Sequence, residues 1–141
     1  MLNVSPFDGG ETEKIMAMQE SGEMYLETIY ILSQKKAAVR SIDVAEEMGY
    51  SKPSVSRGLG LLKERGLAET DAAGNIILTK EGKKIAKNIY ERHTVLTELL
   101  MRIGVDEKTA TEDACRVEHY ISEKTFKAIK KHVKEHSQNS V

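Results

Sequence analysis

Between Arg40 and Thr79 the spacing of apolar residues changes its period, and this restricts the available folds more than any other feature of the chain. Ser41 can cap a short helix over Ile42-Asp-Val-Ala-Glu-Glu-Met48, which Gly49 ends in the position that favours a left-handed residue. Ser51 can cap a second helix, with Pro53 tolerated in its first turn because the amide there lacks an intrahelical partner. Val55, Leu59 and Leu62 then fall on one inward face. After Gly66 the period shortens. Leu67-Ala-Glu-Thr70 and Asn75-Ile-Ile-Leu-Thr79 read as two short strands about a turn at Asp71-Ala-Ala-Gly74.

Two helices joined by a turn of about three residues and followed by a hairpin follow the order of a winged helix-turn-helix. In that reading Ser51, Lys52, Pro53, Ser54, Ser56 and Arg57 open the recognition helix, where base edges and phosphates are reached, and Arg40 joins them as a DNA-binding candidate. Gly58 and Gly60 weaken the helix by about 1 kcal/mol each relative to Ala. A pair of ordinary packed helices is the plainer alternative. The charge distribution favours DNA. From Lys35 to Lys87 there are eleven Lys or Arg against seven Asp or Glu, a balance of +4 within a chain of net charge -1.

The 141 residues suffice for one domain or two small ones. Residues 1–20 read as a flexible leader, with a frayed helical turn at Glu11 to Gln19. The first helix is expected over Glu23–Lys35, where Tyr25, Ile29 and Leu32 form a stripe flanked by Leu26 and Tyr30. Thr79 caps a long helix from Lys80 to about Ile103, which links a DNA-binding domain over 21–87 to a helical domain over 88–136, before a disordered tail at 137–141. Lys80, Lys83, Lys84 and Lys87 lie near the expected phosphate surface. No apolar run spans a membrane, no secretory signal opens the chain, and its single cysteine fits a reducing compartment; a cytoplasmic location without membrane contact is expected.

Near the C-terminus, Asp113-Ala-Cys-Arg-Val-Glu-His-Tyr120 places Cys115, Glu118 and His119 at i, i+3 and i+4 of an expected helix, so that all three share a face. Sulfur, carboxylate and imidazole together suit a mid-series transition metal better than calcium or magnesium. The bland reading is a small buried cysteine beside a surface Glu-His pair. A redox-sensing regulator using Cys115 is a further alternative, but Glu112, Asp113 and Glu118 make an acidic setting for a reactive thiol. An enzyme is not expected, since so short a chain shows no substrate pocket.

Ser21-Gly-Glu-Met-Tyr-Leu-Glu-Thr-Ile-Tyr30, Leu78-Thr-Lys-Glu-Gly82, Arg92-His93 and Glu112-Asp-Ala-Cys-Arg-Val-Glu-His119 closely resemble the diphtheria toxin repressor family of metal-dependent bacterial regulators. The resemblance runs from about Ser21 to Lys131. It implies a mostly α protein with a small β wing, made of a winged helix-turn-helix DNA-binding domain followed by an all-helical metal-binding and dimerisation domain. It also implies a homodimer that binds a palindromic double-stranded operator when it holds Fe(II) or Mn(II), one or two ions per subunit, with no organic cofactor. Carried over by resemblance, the metal ligands fall on Met24, Cys115, Glu118 and His119, with Glu27 and His93 at further positions. Met24 and Cys115 match the iron-responsive branch and Glu27 the manganese-responsive one, so Fe(II) is favoured, with Mn(II) as the alternative. Thr97 and Thr111 stand where the iron branch often carries ancillary ligands. A metal-independent winged-helix DNA binder remains the competing expectation.

Overall fold

The computed structural model describes residues 9–137, with side chains from Glu20 to His136. Six helices and a two-stranded antiparallel sheet follow one another as α1 (Gly9–Lys35), α2 (Ser41–Met48), α3 (Lys52–Glu64), β1 (Ala68–Thr70), β2 (Ile76–Leu78), α4 (Lys80–Arg102), α5 (Glu107–Val117) and α6 (Glu123–Ser137). The chain divides into two units, Met1–Ala86 and Lys87–Val141. No helix among the described residues is long and apolar enough to cross a membrane.

In the first unit the stripe expected on α1 is the core. Tyr25, Leu26, Ile29 and Leu32 pack with Val44 and Ala45 of α2, Val55, Leu59 and Leu62 of α3, and Ala68 and Ile76 of the hairpin. Val44 and Val55 have no exposed surface, a burial that stabilises by about 1.5–3 kcal/mol for each such side chain. The helix itself begins at Gly9, well before the expected start at Glu23, so the residues from Gly9 to Glu20 assigned to a leader are helical. Residues 1–8 and the tail at 138–141 lie outside the described residues.

Between α2 and α3 the turn is Gly49-Tyr50-Ser51. Gly49 takes φ 69°, and its amide and that of Tyr50 both donate to the Ala45 carbonyl, closing α2. Ser51 caps α3, its hydroxyl accepting from Ser54 N at 3.3 Å. Ser41, expected to cap α2, lies inside the helix, and the cap is Arg40. The reason is Asp43, whose Oδ2 accepts from the Arg40 backbone N–H at 2.8 Å and so fixes the preceding residue at the boundary.

In the hairpin Ala68 pairs with Leu78 and Thr70 with Ile76. Thr79 joins the hairpin to α4. Its amide donates to the Leu67 carbonyl, its hydroxyl donates to Gly66 O at 2.7 Å and accepts from Gly82 N at 3.1 Å. Gly82 lets this happen: a Cβ there would sit 2.0 Å from Leu67 O.

The second unit contains most of α4 with α5 and α6. Ile89, Arg92 and Leu96 of α4, Ala110 and Ala114 of α5, and Phe126 and Val133 of α6 are buried. Asp106 caps α5 by accepting from Thr109 N at 2.9 Å, and Ser122 accepts from Thr125 N at 3.1 Å at the start of α6.

Candidate metal centre and nucleic-acid interface

α3 presents its opening turns to solvent. Ser51, Lys52, Pro53, Ser56 and Arg57 are exposed and Ser54 is half-buried, so the expected recognition residues share an accessible N-terminal segment. The helix is held from behind by Tyr25 of α1, which donates from its hydroxyl to Ser54 O at 3.2 Å and packs edge-on against Tyr50, with ring centroids 6.2 Å apart. Burial, and then the neighbouring Tyr50, push the Tyr25 hydroxyl above its ordinary pKa, so it remains a donor.

Arg40 sits where α2 meets the hairpin. Its guanidinium donates to Ala73 O and, at 3.5 Å, to Asn75 Oδ1, so it braces the wing. The turn is also held from within. Asp71 Oδ1 accepts from Ala73 N at 2.9 Å and Asn75 N at 2.8 Å, and these bonds, the Asn75 amide first, hold its carboxyl below the usual range. Lys80, Lys83 and Lys84 are exposed on the first turns of α4.

Met24 and Glu27 lie on α1 in the first unit, the former half-buried and the latter buried. The other four metal-ligand candidates lie in the second unit. α5 ends at Val117, so Glu118 and His119 belong to the turn that follows rather than to the helix expected from their spacing. Glu118 keeps helical dihedrals, φ -56° and ψ -28°, which preserves the direction of its side chain. That side chain has no exposed surface, and that of His119 retains 1%. Glu118 Oε2 lies 2.9 Å from Nδ1 of His93, one turn of α4 beyond Ile89. Its Oε1 faces His119 Nε2 at 3.4 Å but forms no hydrogen bond among the described residues. Cys115 is half-buried one turn earlier on α5.

A buried carboxylate with an oxygen left short of a hydrogen bond is costly unless a cation answers it. Two imidazoles around such a carboxylate are a donor set for a divalent transition metal, and the fit is therefore good. An Nδ1–H donated to Glu118 would leave the His93 lone pair on Nε2, the tautomer suited to a metal.

Sequence reasoning gave no role to Arg92. It is buried, with Nη1 donating to Glu118 O at 3.2 Å and Ile121 O at 2.7 Å, and Nη2 donating to Glu123 Oε2 at 2.7 Å. Its guanidinium carbon lies 5.3 Å from the centroid of Phe126. A signal was present: Arg92 stands in the apolar series Ile85, Ile89, Leu96, where a charged residue must find buried partners.

A winged helix carrying an accessible recognition helix, together with a helical unit that encloses a carboxylate and imidazoles, is the architecture of a DNA-binding regulator with a candidate metal site. The family model for the iron dependent repressor N-terminal DNA binding domain matches residues 17–74, and that for the iron dependent repressor metal binding and dimerisation domain matches residues 79–140. The chain belongs to this family, the diphtheria toxin repressor family of regulators. Transcriptional regulator MntR of Escherichia coli O157:H7 is 34% identical over 112 residues, 79% of this chain and 72% of that one. HTH-type transcriptional regulator MntR of Bacillus subtilis strain 168 is 34% identical over 102 residues, 72% of each. Among solved structures, the manganese regulator SloR superposes with a TM-score of 0.73 at 28% identity, covering 80% of this chain and 53% of its own. The IdeR protein of T. acidophilum superposes at 0.69 with 25% identity, covering 78% and 52%. The chain thus spans about half the length of those two solved proteins.

The preference for Fe(II) expected from Met24 and Cys115 finds no support in these relatives, of which SloR is described as a manganese regulator. The groups drawn together in the second unit are carboxylate oxygen and imidazole nitrogen atoms, a set that accepts Fe(II) and Mn(II) alike.

Proposed function

We propose that this chain is a homodimeric repressor that binds a palindromic operator when loaded with Mn(II). The observation that carries the reading is Glu118, a fully buried carboxylate set between His93 and His119. Three such donors are fewer than a divalent transition metal takes, so Met24 and Glu27 of α1 and Cys115 of α5 are the further donors in this reading. The ion supplies positive charge that neutralises buried carboxylate and rewards the arrangement in which all donors are satisfied. A cation that binds the DNA-competent arrangement more tightly by a few kcal/mol converts a mostly inactive population into a mostly active one. On the DNA side, Arg40, Ser51, Lys52, Pro53, Ser54, Ser56 and Arg57 supply the contacts, with α3 in the major groove. Exposed Met101, Ile103, Val117 and Tyr120 provide apolar surface for dimerisation in the second unit. The reading assigns no catalytic role to any of the described residues and places the protein in the cytoplasm with DNA.

The test is binding of the chelator-treated protein to genomic promoter fragments with Mn(II), with Fe(II) under anaerobic conditions, and with neither. Tight binding only with metal is expected, with Mn(II) the more potent. His119→Ala should abolish the metal response and leave a folded dimer. Equal binding in all three conditions would leave a metal-independent winged-helix protein.

A further inference from the structure

We propose that Arg92 is a positioning residue for the metal centre: by fastening the backbone of the Glu118–Ile121 turn it sets the affinity with which Glu118 and His119 take up the divalent cation. The proposal rests on the metal-dependent reading given above. An arginine at a buried position of α4 is expensive, and an apolar residue in the series Ile89 to Leu96 would pack there without the cost of desolvating a charge. What Arg92 provides instead is a set of oriented donors. Nη1 reaches the carbonyls of Glu118 and Ile121, and Nη2 reaches the Glu123 carboxylate in the first turn of α6. The Glu118 carbonyl is one of the groups that α5 leaves without an intrahelical partner as it ends, and a cation is favourable there.

Arg92 and His93 are consecutive, and both act on Glu118. Arg92 holds its backbone carbonyl, while His93 meets its carboxylate at 2.9 Å. The direction of the carboxylate is therefore specified from both ends by one dipeptide of α4. The guanidinium carbon also lies over the Phe126 ring, 5.3 Å from its centroid, a cation–π contact that adds a further hold on the fork. Lysine could supply the charge but not two oriented donor groups to three acceptors.

The experiment uses the full chain in three variants beside wild type: Arg92→Lys, Arg92→Met and, as a control, Val133→Ala, which thins the core of the same unit. Two quantities are read, hydrogen exchange of the amides from Glu118 to Ser122 in metal-free protein, and the dissociation constant for Mn(II) by titration. Arg92→Lys should speed exchange in the turn and weaken Mn(II) binding about 10- to 100-fold, the usual effect of losing a group that orients a ligand. Val133→Ala should lower the melting temperature and leave the Mn(II) constant unchanged. If Arg92→Lys binds Mn(II) as wild type does, Arg92 is only structural and the proposal is overturned while the functional reading stands. Should wild type itself take up neither Mn(II) nor Fe(II), the functional reading falls and the positioning role falls with it. Arg92→Met, which offers no donor at all, should weaken Mn(II) binding at least as much, and wild-type affinity in that variant would equally overturn the proposal.

Discussion

The ring of Tyr25 stands where a side chain on Gly58 would begin, since a Cβ at that glycine would lie 2.3 Å from Tyr25 Cε2. Helices α1 and α3 meet at this point, with the Tyr25 hydroxyl bonded to Ser54 O a turn away. Gly58→Ala gains about 1 kcal/mol of helix propensity but loses about 1–3 kcal/mol to overpacking and a further ~1 kcal/mol if the hydroxyl is displaced. With the hydroxyl displaced, the expected net effect is destabilisation by about 1–3 kcal/mol in urea unfolding. Gly60 has no atom within 4 Å of its would-be Cβ, so Gly60→Ala should stabilise by about 0.5–1 kcal/mol. Equal effects of the two substitutions would show that the ring moves aside freely.

At Gly82 the obstacle is the main chain, not a side chain that can turn away. Gly82→Ala should cost about 3 kcal/mol or more, since Leu67 O must retreat from the hydrogen bond donated by the Thr79 amide. Thermal unfolding of the variant is the measurement. A melting temperature near that of wild type would mean that the start of α4 can shift without cost.

Arg40 braces the wing through its side chain but caps α2 through its backbone. Arg40→Ala should therefore leave α2 intact, change global stability by less than about 1 kcal/mol, and lower operator affinity by freeing the wing. Binding isotherms at several salt concentrations separate the causes. A salt slope smaller by about 1 would identify a phosphate contact, while an unchanged slope with weaker binding would identify the brace.

Acid should weaken the first unit through Asp43. The side-chain hydrogen bond from Lys36, followed by the Arg40 amide, holds this carboxyl below its ordinary value of 3.8. The folded state thus favours the ionised form, and the contribution is present above pH 3.8 and is lost as pH falls through the lower folded value. Asp43→Asn should be less stable than wild type at pH 7, with the gap narrowing below pH 3.8 in denaturant titrations at stepped pH. A gap independent of pH would show that the charge of Asp43 contributes nothing.

The helix-turn-helix was legible because its signals are local. Gly49, Ser51 and Pro53 each act on their own backbone, and the inward trio of Val55, Leu59 and Leu62 is a simple period. Boundaries that depend on competing local partners were not. Ser41 has the side chain expected of the cap, and only the reach of Asp43 to the Arg40 amide moves the boundary back by one residue. The start of α1 escaped because the stripe read from the sequence begins at Tyr25, whereas the backbone helix begins at Gly9. At the candidate metal centre the residue types were visible, but their setting in a turn after α5, and the pairing of Glu118 with a histidine twenty-five residues earlier, are products of tertiary folding. Arg92 shows the same limit, since its partners are two main-chain carbonyls and a glutamate that no spacing rule connects to it.

The enclosure of Glu118 also bears on how long the protein lasts. Under the metal-dependent reading, burying Glu118 without a cation would cost stability that a bound ion returns, so that the metal-poor chain would open more often and be the one a protease meets. Under the metal-dependent reading, scarcity would then act twice, releasing the operator within the lifetime of one complex and thinning the pool of regulator over many. A cell starved of the ion would emerge from starvation with fewer copies to silence its promoters, and that shortage would delay the return to repression.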